Sequence, residues 1–474
     1  MPIIITSFYH FRPRLIIVFL KIYEFVVFDD IIRKKEGENM KCNQNGLDFI
    51  IKELKKKTII EKSRKNEKDF TRKRKIGPKE LIEYNLNKKG LSSKMEKYKF
   101  LRLTEYEDIS TPGLLKQREK LNPEVFIYLN QGMLSLFYNE HEEEMKLYKG
   151  YIIAAIDGSD FEIPNTKVSR KEYSYLMKND ECTRATVSTM TDILNGYVLD
   201  TLVRPYRTSE IEMEKEHLKN VKEIIKKQKI IRVKDRNYRC LEDFFYSNKN
   251  NEKYVVRLQE SDYKEYIRQM KSNDEEIKIE YQYDRVRYYK KRNPELYMEL
   301  EKKEPIKIRI VKVQLENGTL EILATNLEKE DFSSEDIKEI YNLRWGIETL
   351  YHTVKESLKI CAISSSKKTI IEQEILSQML VYNIVQSFCN EAEPKIQKEK
   401  YKYPMKVNKN MAIGILKENM IYILMEEDEN KRVRMSDEFE KKILEYLVPI
   451  RKGRNFKRGK QVKNRHHINK RKSF

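Results

Sequence analysis

The segment YIIAAIDG, Tyr151 to Gly158, is the stretch from which the fold is read. Tyr151 to Ile156 is short, apolar and rich in β-branched residues, the pattern of a strand buried on both faces, and the run ends directly in Asp157. A carboxylate at the end of a central strand is held firmly in place. A second run of the same character, Ile230 to Lys234, ends in Asp235 at the start of DRNYRCLEDFFY. Between them, Arg184 to Ile193 and Tyr197 to Val203 flank Asn195-Gly196 and read as a hairpin with a two-residue turn. A helix is expected from Ser209 to about Lys227, capped by Ser209 with Glu212 three residues later. Taken alone, either aspartate reads rather as a helix N-cap or a turn residue.

Three strands, a helix, a strand and a helix in succession is the order of a ribonuclease-H-like α/β fold. That order sets the first and fourth strands side by side at the centre of the sheet, so Asp157 and Asp235 are expected to be neighbours. A third acid comes from YNLRWGIETLYHTVK, residues 341–355. At about 100° per residue, Tyr341, Arg344, Glu348 and Lys355 fall within an arc of roughly 60° on a single helix, which is expected to pack across the sheet. Such a face suits a metal-bound phosphodiester. Glu348 would hold a divalent cation, Arg344 and Lys355 phosphate oxygens, and Tyr341 would donate a hydrogen bond or stack. Charged residues make up 36% of the chain, so the same spacing also arises on an ordinary solvated helix face. The two strand-end aspartates are what turn it into a site.

With these residues in place the chain resembles the DDE transposases of bacterial insertion sequences that carry a Tyr-Arg-Glu-Lys signature, the insertion-sequence-four type. The resemblance rests on Asp157 in AAIDGSDFEIPNT, Asp235 in VKDRNY, and Tyr341, Arg344, Glu348 and Lys355 in YNLRWGIETLYHTVKESLKI. ATNL ahead of the signature and the basic end beginning PIRKGRNFKRGK match in character, and the likeness runs from about Phe70 to the C-terminus. It implies that Asp157, Asp235 and Glu348 are catalytic and ligate Mg2+ or Mn2+, with two ions about 4 Å apart serving an in-line phosphoryl transfer. Water would first cut one strand at the element's end. The freed 3′ hydroxyl would then attack the opposite strand or target DNA, a hairpin intermediate being permitted.

The resemblance further implies that Tyr341, Arg344 and Lys355 grip phosphates beside the scissile bond. Trp345, the only tryptophan, corresponds to aromatic residues that stack on a flipped base in relatives, with core packing beside the sheet as the alternative. Expected partners are DNA, as terminal inverted repeats and as target, and a second copy of the chain on that DNA, with no membrane and a cytoplasmic location. Asn237 stands where the family more often has glycine, and Asn is the next most tolerant residue of a left-handed backbone. Asp160 and Glu162 read as turn residues.

Composition agrees with a nucleic-acid partner. A net charge of +20 is unusual for an enzyme of small anionic metabolites and fits a footprint on phosphates. The charge is concentrated: Arg451 to Phe474 holds eleven Lys or Arg and no acid, and Lys52 to Lys75 is similarly dense but includes four acids. A run of this kind is equally often a solvated tail.

At 474 residues the chain is expected to hold about two to four structural units. Residues 1–39 read as a non-native extension ahead of Met40, because Leu15 to Phe28 is interrupted by Lys21 and Glu24, too short and charged for a membrane span, and no small-residue cleavage site follows. Residues 40–146 are expected to form a helical DNA-binding region, with helices at Lys79 to Asn85, Ser110 to Lys120 and Pro123 to Phe137. The catalytic core is assigned to 147–258 and 331–400. A β-rich insertion at 259–330 contains Glu276 to Tyr283, Lys307 to Leu315 and Leu320 to Ala324, and residues 401–474 form a C-terminal region with the basic tail. Ile370 to Cys389 is expected to pack on the core. The five cysteines and six histidines make no metal-spaced group, and His466-His467 suits phosphate contact. Two other functional classes compete: a transposase descendant that binds DNA without cutting, and a hydrolase with paired carboxylates such as a glycosidase. The positive charge and the cations beside Glu348 oppose the latter.

Overall fold

Strand β1 (Tyr151–Glu162) runs well past the apolar segment that announces it. The computed structural model describes residues 42–173, 183–314 and 318–450. The expected N-terminal extension, the Leu15 to Phe28 stretch, Cys182 and the basic tail with His466 and His467 lie outside these residues. β1 continues because its two neighbours end at different places. The parallel pairing with β4 (Lys229–Lys234) closes at Ile156 opposite Lys234, whereas the antiparallel pairing with β2 (Arg184–Asp192) goes on to Glu162 opposite Arg184. Asp157 therefore sits within a strand, at the point where the parallel partner leaves. Asp160 and Glu162 are strand residues and not turn residues, and Arg184 lies 4.0 Å and 3.8 Å from their carboxylates.

β2 pairs antiparallel with β3 (Val198–Pro205), and the connection between them is Ile193 to Tyr197, longer than the two-residue turn expected. Asp192 organises it. Its carboxylate accepts from the N–H groups of Leu194 and Asn195 and from the hydroxyl of Tyr138. Gly196 has φ +75° with the Gln386 side chain against its Cα, so only glycine fits there.

The eight-stranded sheet has the order β3-β2-β1-β4-β5-β8-β7-β6 and is mostly antiparallel, with β1, β4 and β5 (Lys253–Leu258) parallel. The first and fourth strands are neighbours, as their order in sequence leads one to expect. β4 is central although it carries two cations. Ile231 and Val233 face one side, while Arg232 and Lys234 point to the other, where Glu214 of helix α8 and Asp243 of α9 neutralise them, Lys234 Nζ lying 2.9 Å from Glu214.

Strands β6 (Asp274–Ile279), β7 (Ile306–Gln314) and β8 (Leu320–Thr325) prolong this same sheet, β8 pairing antiparallel with β5. The inserted segment also holds short helices, α10 (Lys264–Gln269), α11 (Tyr283–Val286), α12 (Tyr289–Arg292) and α13 (Pro294–Leu300).

Residues 42–140 are helical: α1 (Cys42–Lys55), α2 (Thr58–Ser63), α3 (Pro78–Leu86), α4 (Ser93–Thr104), α5 (Thr111–Arg118) and α6 (Glu124–Glu140). Later come α7 (Lys167–Tyr173), α8 (Glu210–Lys222), α9 (Leu241–Lys249), α14 (Ser334–Leu343), α15 (Trp345–Glu356), α16 (Lys368–Ala392), α17 (Lys409–Met425) and α18 (Glu429–Leu444). α16 joins them. It is buried almost all round and packs on α1, α3, α6, α17, α18 and β3. Its polar side chains satisfy neighbouring backbones: Asn383 donates to the Val198 carbonyl and accepts from the Val198 N–H, closing the edge strand β3. One apolar cluster accordingly runs from Leu47 to Ile443. Among the described residues no helix is long and apolar enough to cross a membrane.

Candidate active site

The last parallel pair of β1 and β4 is Ile156 with Lys234, so the next residue along each chain, Asp157 still within β1 and Asp235 just past β4, stands where the parallel pairing ends. With side chains alternating along a strand, both aspartates share the side of Ile153 and Ile231. That side is covered by α14, whose Ile337, Ile340 and Tyr341 pack on Ile153, Ile231, Val233 and Val255. α15 continues over β1, where the Tyr351 hydroxyl lies 2.7 Å from the Asp157 carbonyl and 3.0 Å from that of Val187. Asp235 is at once a strand end and a cap, since its Oδ1 accepts from the Asn237 N–H at 2.7 Å over a 3-10 turn, Arg236–Tyr238. Asn237 is not left-handed, so its tolerance of that conformation is not what admits it here.

The expected single helix is two. Arg344 keeps helical angles, but the bonds on either side of it are of the tighter kind, Arg344 N–H to Tyr341 O (3.1 Å) and Ile347 N–H to Arg344 O (3.0 Å). Gly346 follows, pressed so close to Ile193 that an added Cβ would stand 2.7 Å from its Cγ2. Tyr341 and Glu348 both meet Arg344 across the junction, whereas Lys355 is anchored separately on β1. Tyr341 is 3% exposed and hydrogen-bonded to Arg344, whereas Trp345 is 50% exposed, which overturns core packing for it. The Arg344 guanidinium lies over both rings, 5.7 Å from Tyr341 and 5.5 Å from Trp345. Its Nη2 also donates to Glu348 Oε1 at 3.0 Å. Burial opposes the Arg344 charge, but Tyr341, Glu348 and Asp157 around it raise its pKa. Lys355 Nζ reaches back to β1, donating to Ser159 Oγ (2.7 Å) and the Asp160 carbonyl (3.0 Å) and lying 4.8 Å over the Phe161 ring.

Glu210, in the first turn of α8, is a site residue that sequence reasoning passed over. An added Cβ on Gly158 would stand 3.1 Å from its Oε1, and its carboxyl is hydrogen-bonded to Asn237. The signal was available: the helix following β3 must begin at the sheet edge where β1 and β4 end. Burial, then Asp235 and Glu210, push Asp157 up to about 7, against the lowering effect of Arg344 and the Gly158 N–H. Burial, then Asp235 and Asp160, likewise push Glu210 up to about 7. Behind Asp157, buried His217 lies between Asp200 Oδ2 (2.6 Å) and Ser188 Oγ (2.9 Å), and the Ser188 hydroxyl reaches the Asp157 carbonyl at 3.4 Å. Fully enclosed, this trio braces the strand and cannot meet a substrate.

The structure thus brings Asp157, Asp235, Glu210 and Arg344 together. Glu348 is paired with Arg344, and among the described residues no three His, Cys, Asp or Glu side chains are arranged to hold a metal ion. The sequence profile described as the transposase DDE domain matches residues 148–384, half of the chain. The chain belongs to the transposase DDE domain family. Its matched span contains β1 through most of α16, with both aspartates, Arg344 and Glu348. Among solved structures, the chain is similar to the piggyBac transposase in its synaptic complex with hairpin DNA, at 10% identity and a TM-score of 0.40 over 85% of this chain and 86% of that one. No curated protein matches.

Proposed function

We propose that this member of the transposase DDE domain family is a metal-dependent DNA transposase of the insertion-sequence-four type with a ribonuclease-H-like core, acting by cut-and-paste transposition. The observation that carries the reading is the pair Asp157 and Asp235, set side by side by the β1–β4 register on the face that α14 and α15 cover. Hard oxygen donors, one of them pushed up to about 7 by burial and then by its acidic neighbours, fit a divalent cation, Mg2+ or Mn2+, which Asp157 and Asp235 with Glu348 would hold. When bound there, two such ions supply Lewis acidity towards a phosphodiester and lower the pKa of water.

The remaining chemistry belongs to the protein. Arg344, fixed by Tyr341 and half-exposed Trp345, presents a guanidinium beside Asp157 to a phosphate oxygen. Buried Tyr341 then acts through Arg344 and not by touching phosphate itself. Lys355, anchored on Ser159 and Asp160, offers a second cation two to three residues further along β1. Half-exposed Trp345 offers ring surface to a displaced base. Terminal repeats and target DNA are the substrates, helices of 40–146 recognise the element's ends, and two chains act on one paired complex.

A second reading, a DNA-binding relative that does not cut, draws on one observation, the engagement of Glu348 by Arg344. Strand cleavage of DNA carrying the repeats that flank the reading frame, with Mg2+, separates the two. The native chain is expected to nick at the repeat end, and Glu348→Gln to bind equally and not cut. If both bind and neither cuts with any divalent metal, the non-cutting reading stands.

A further inference from the structure

The C-terminal part of the chain carries a cationic and aromatic patch away from the catalytic edge. A two-stranded sheet, β9 (Met405–Val407) against β10 (Leu447–Pro449), is introduced by the loop KEKYKYP, residues 398–404. Lys398, Lys400, Lys402 and Lys406 are all exposed on it, and Glu399 is the only acid between Lys395 and Lys406. Tyr401 is 41% and Tyr403 58% exposed, and the Ile450 N–H bond to the Pro404 carbonyl sets exposed Ile450 beside them. The Lys402 ammonium lies 5.7 Å over the Tyr403 ring.

Lys395 beside the patch is taken by Glu440, while the lysines of the patch itself stand close together in sequence and alternate with tyrosines. None of Lys398, Lys400, Lys402 and Lys406 forms an ion pair with a described residue. Unneutralised cations interleaved with open tyrosine rings complement a polyanion that also offers sugars and base edges to stack against. In sequence, β10 leads directly into residues 451–474, with eleven Lys or Arg and no acid.

We infer that the two-stranded β9–β10 sheet and its leading loop form a sequence-independent DNA-backbone contact, a surface separate from the Asp157–Asp235 edge. This rests on the transposase reading and extends it by naming where flanking duplex is held. Lysine ammoniums meet phosphates, and tyrosine hydroxyls and rings meet sugars.

The test uses the full chain and a fluorescent duplex of arbitrary sequence, with anisotropy followed against KCl concentration. Each phosphate contact contributes about 0.9 to the slope of log K against log salt, so Lys398→Gln, Lys400→Gln, Lys402→Gln and Lys406→Gln combined are expected to flatten it by about 2 to 3.5. Affinity at low salt should fall at least tenfold. Tyr401→Ala with Tyr403→Ala is expected to weaken binding while leaving the slope unchanged. Because all six side chains are exposed, thermal midpoints of both variants should match the native chain. A native chain that binds duplex with the same slope as the lysine variant overturns this inference alone. A native chain that does not bind duplex DNA removes the transposase reading with it. A lysine variant that keeps its DNA slope but loses binding to phosphatidylserine vesicles makes the patch a lipid contact and refutes the proposal.

Discussion

Replacing Asp157 by Asn should stabilise the chain in the absence of divalent metal, and the gain should depend on pH. Asp157 is held at about 7 against an ordinary 3.8, chiefly by burial and then by Asp235 and Glu210. The folded state therefore binds this proton more tightly than the unfolded one. Its contribution is fully present below pH 4 and is lost as pH rises through 7. At about 1.4 kcal/mol per pH unit, the ionised carboxylate costs the fold about 4 kcal/mol at pH 8, or about 2 to 4 once local relaxation is counted. Other titrating groups also move the stability of the native chain, so the quantity to follow is the difference between the native chain and Asp157→Asn. Denaturant unfolding is expected to show the variant more stable by about 2 to 4 kcal/mol at pH 8, with the gap cut to less than half of that at pH 5 and closed below about pH 4. Mg2+ at pH 8 should stabilise the native chain more than the variant. A variant no more stable than the native chain at pH 8, or a gap that persists unchanged at pH 5, refutes the crowding argument.

Gly346→Ala brings a methyl group 2.7 Å from Ile193 Cγ2, and should cost about 1 to 3 kcal/mol in denaturation while slowing strand cleavage by displacing Arg344 and Glu348. Tyr351→Phe removes the hydroxyl that lies against the Asp157 and Val187 carbonyls and should lower stability by about 1 to 2 kcal/mol, with an unchanged midpoint telling against the bracing role. Glu374 is buried, yet Lys88 and Arg118 hold its carboxyl down at about 2. Its stabilisation is present above its unfolded value near 4 and is lost as pH falls through 2, so Glu374→Gln should cost about 3 to 5 kcal/mol at pH 7 and much less below pH 3.

Part of the central sheet was legible because burial on both faces writes itself as an unbroken apolar run, which Tyr151 to Ile156 carries, while Ile230 to Lys234 was read from its β-branched residues. The extension of β1 beyond Asp157 was not legible. Polar residues there face a covered edge and are held by β2, a partner that local pattern does not reveal. Arg232 and Lys234 are accommodated in a central strand by Glu214 and Asp243 from two different helices, partners that strand pattern does not reveal. Helical spacing singled out Tyr341, Arg344, Glu348 and Lys355, but the tightened turn at Arg344 lies beside a contact between distant segments, Ile193 against Gly346, that spacing does not reveal. Glu210 was passed over for the same reason: a glutamate in a helix's first turn is usually explained by the helix alone.

The joining of β8 to β5 has a consequence for how such chains vary. Between β5 and β8 the chain adds β6 and β7 to the outer edge of the same sheet before β8 returns to pair with β5, so length changes confined to the loops and short helices between these strands cost a closure entropy that grows slowly with size. The helices bearing Arg344 and Glu348 are set by docking on β1, β4, β5 and β7, not by the number of residues that precede them. The interval between Asp235 and Glu348 is thus an elastic tether: relatives can drift far in that interval while their acidic groups keep the same relation in space, and a motif search that fixes it will miss them.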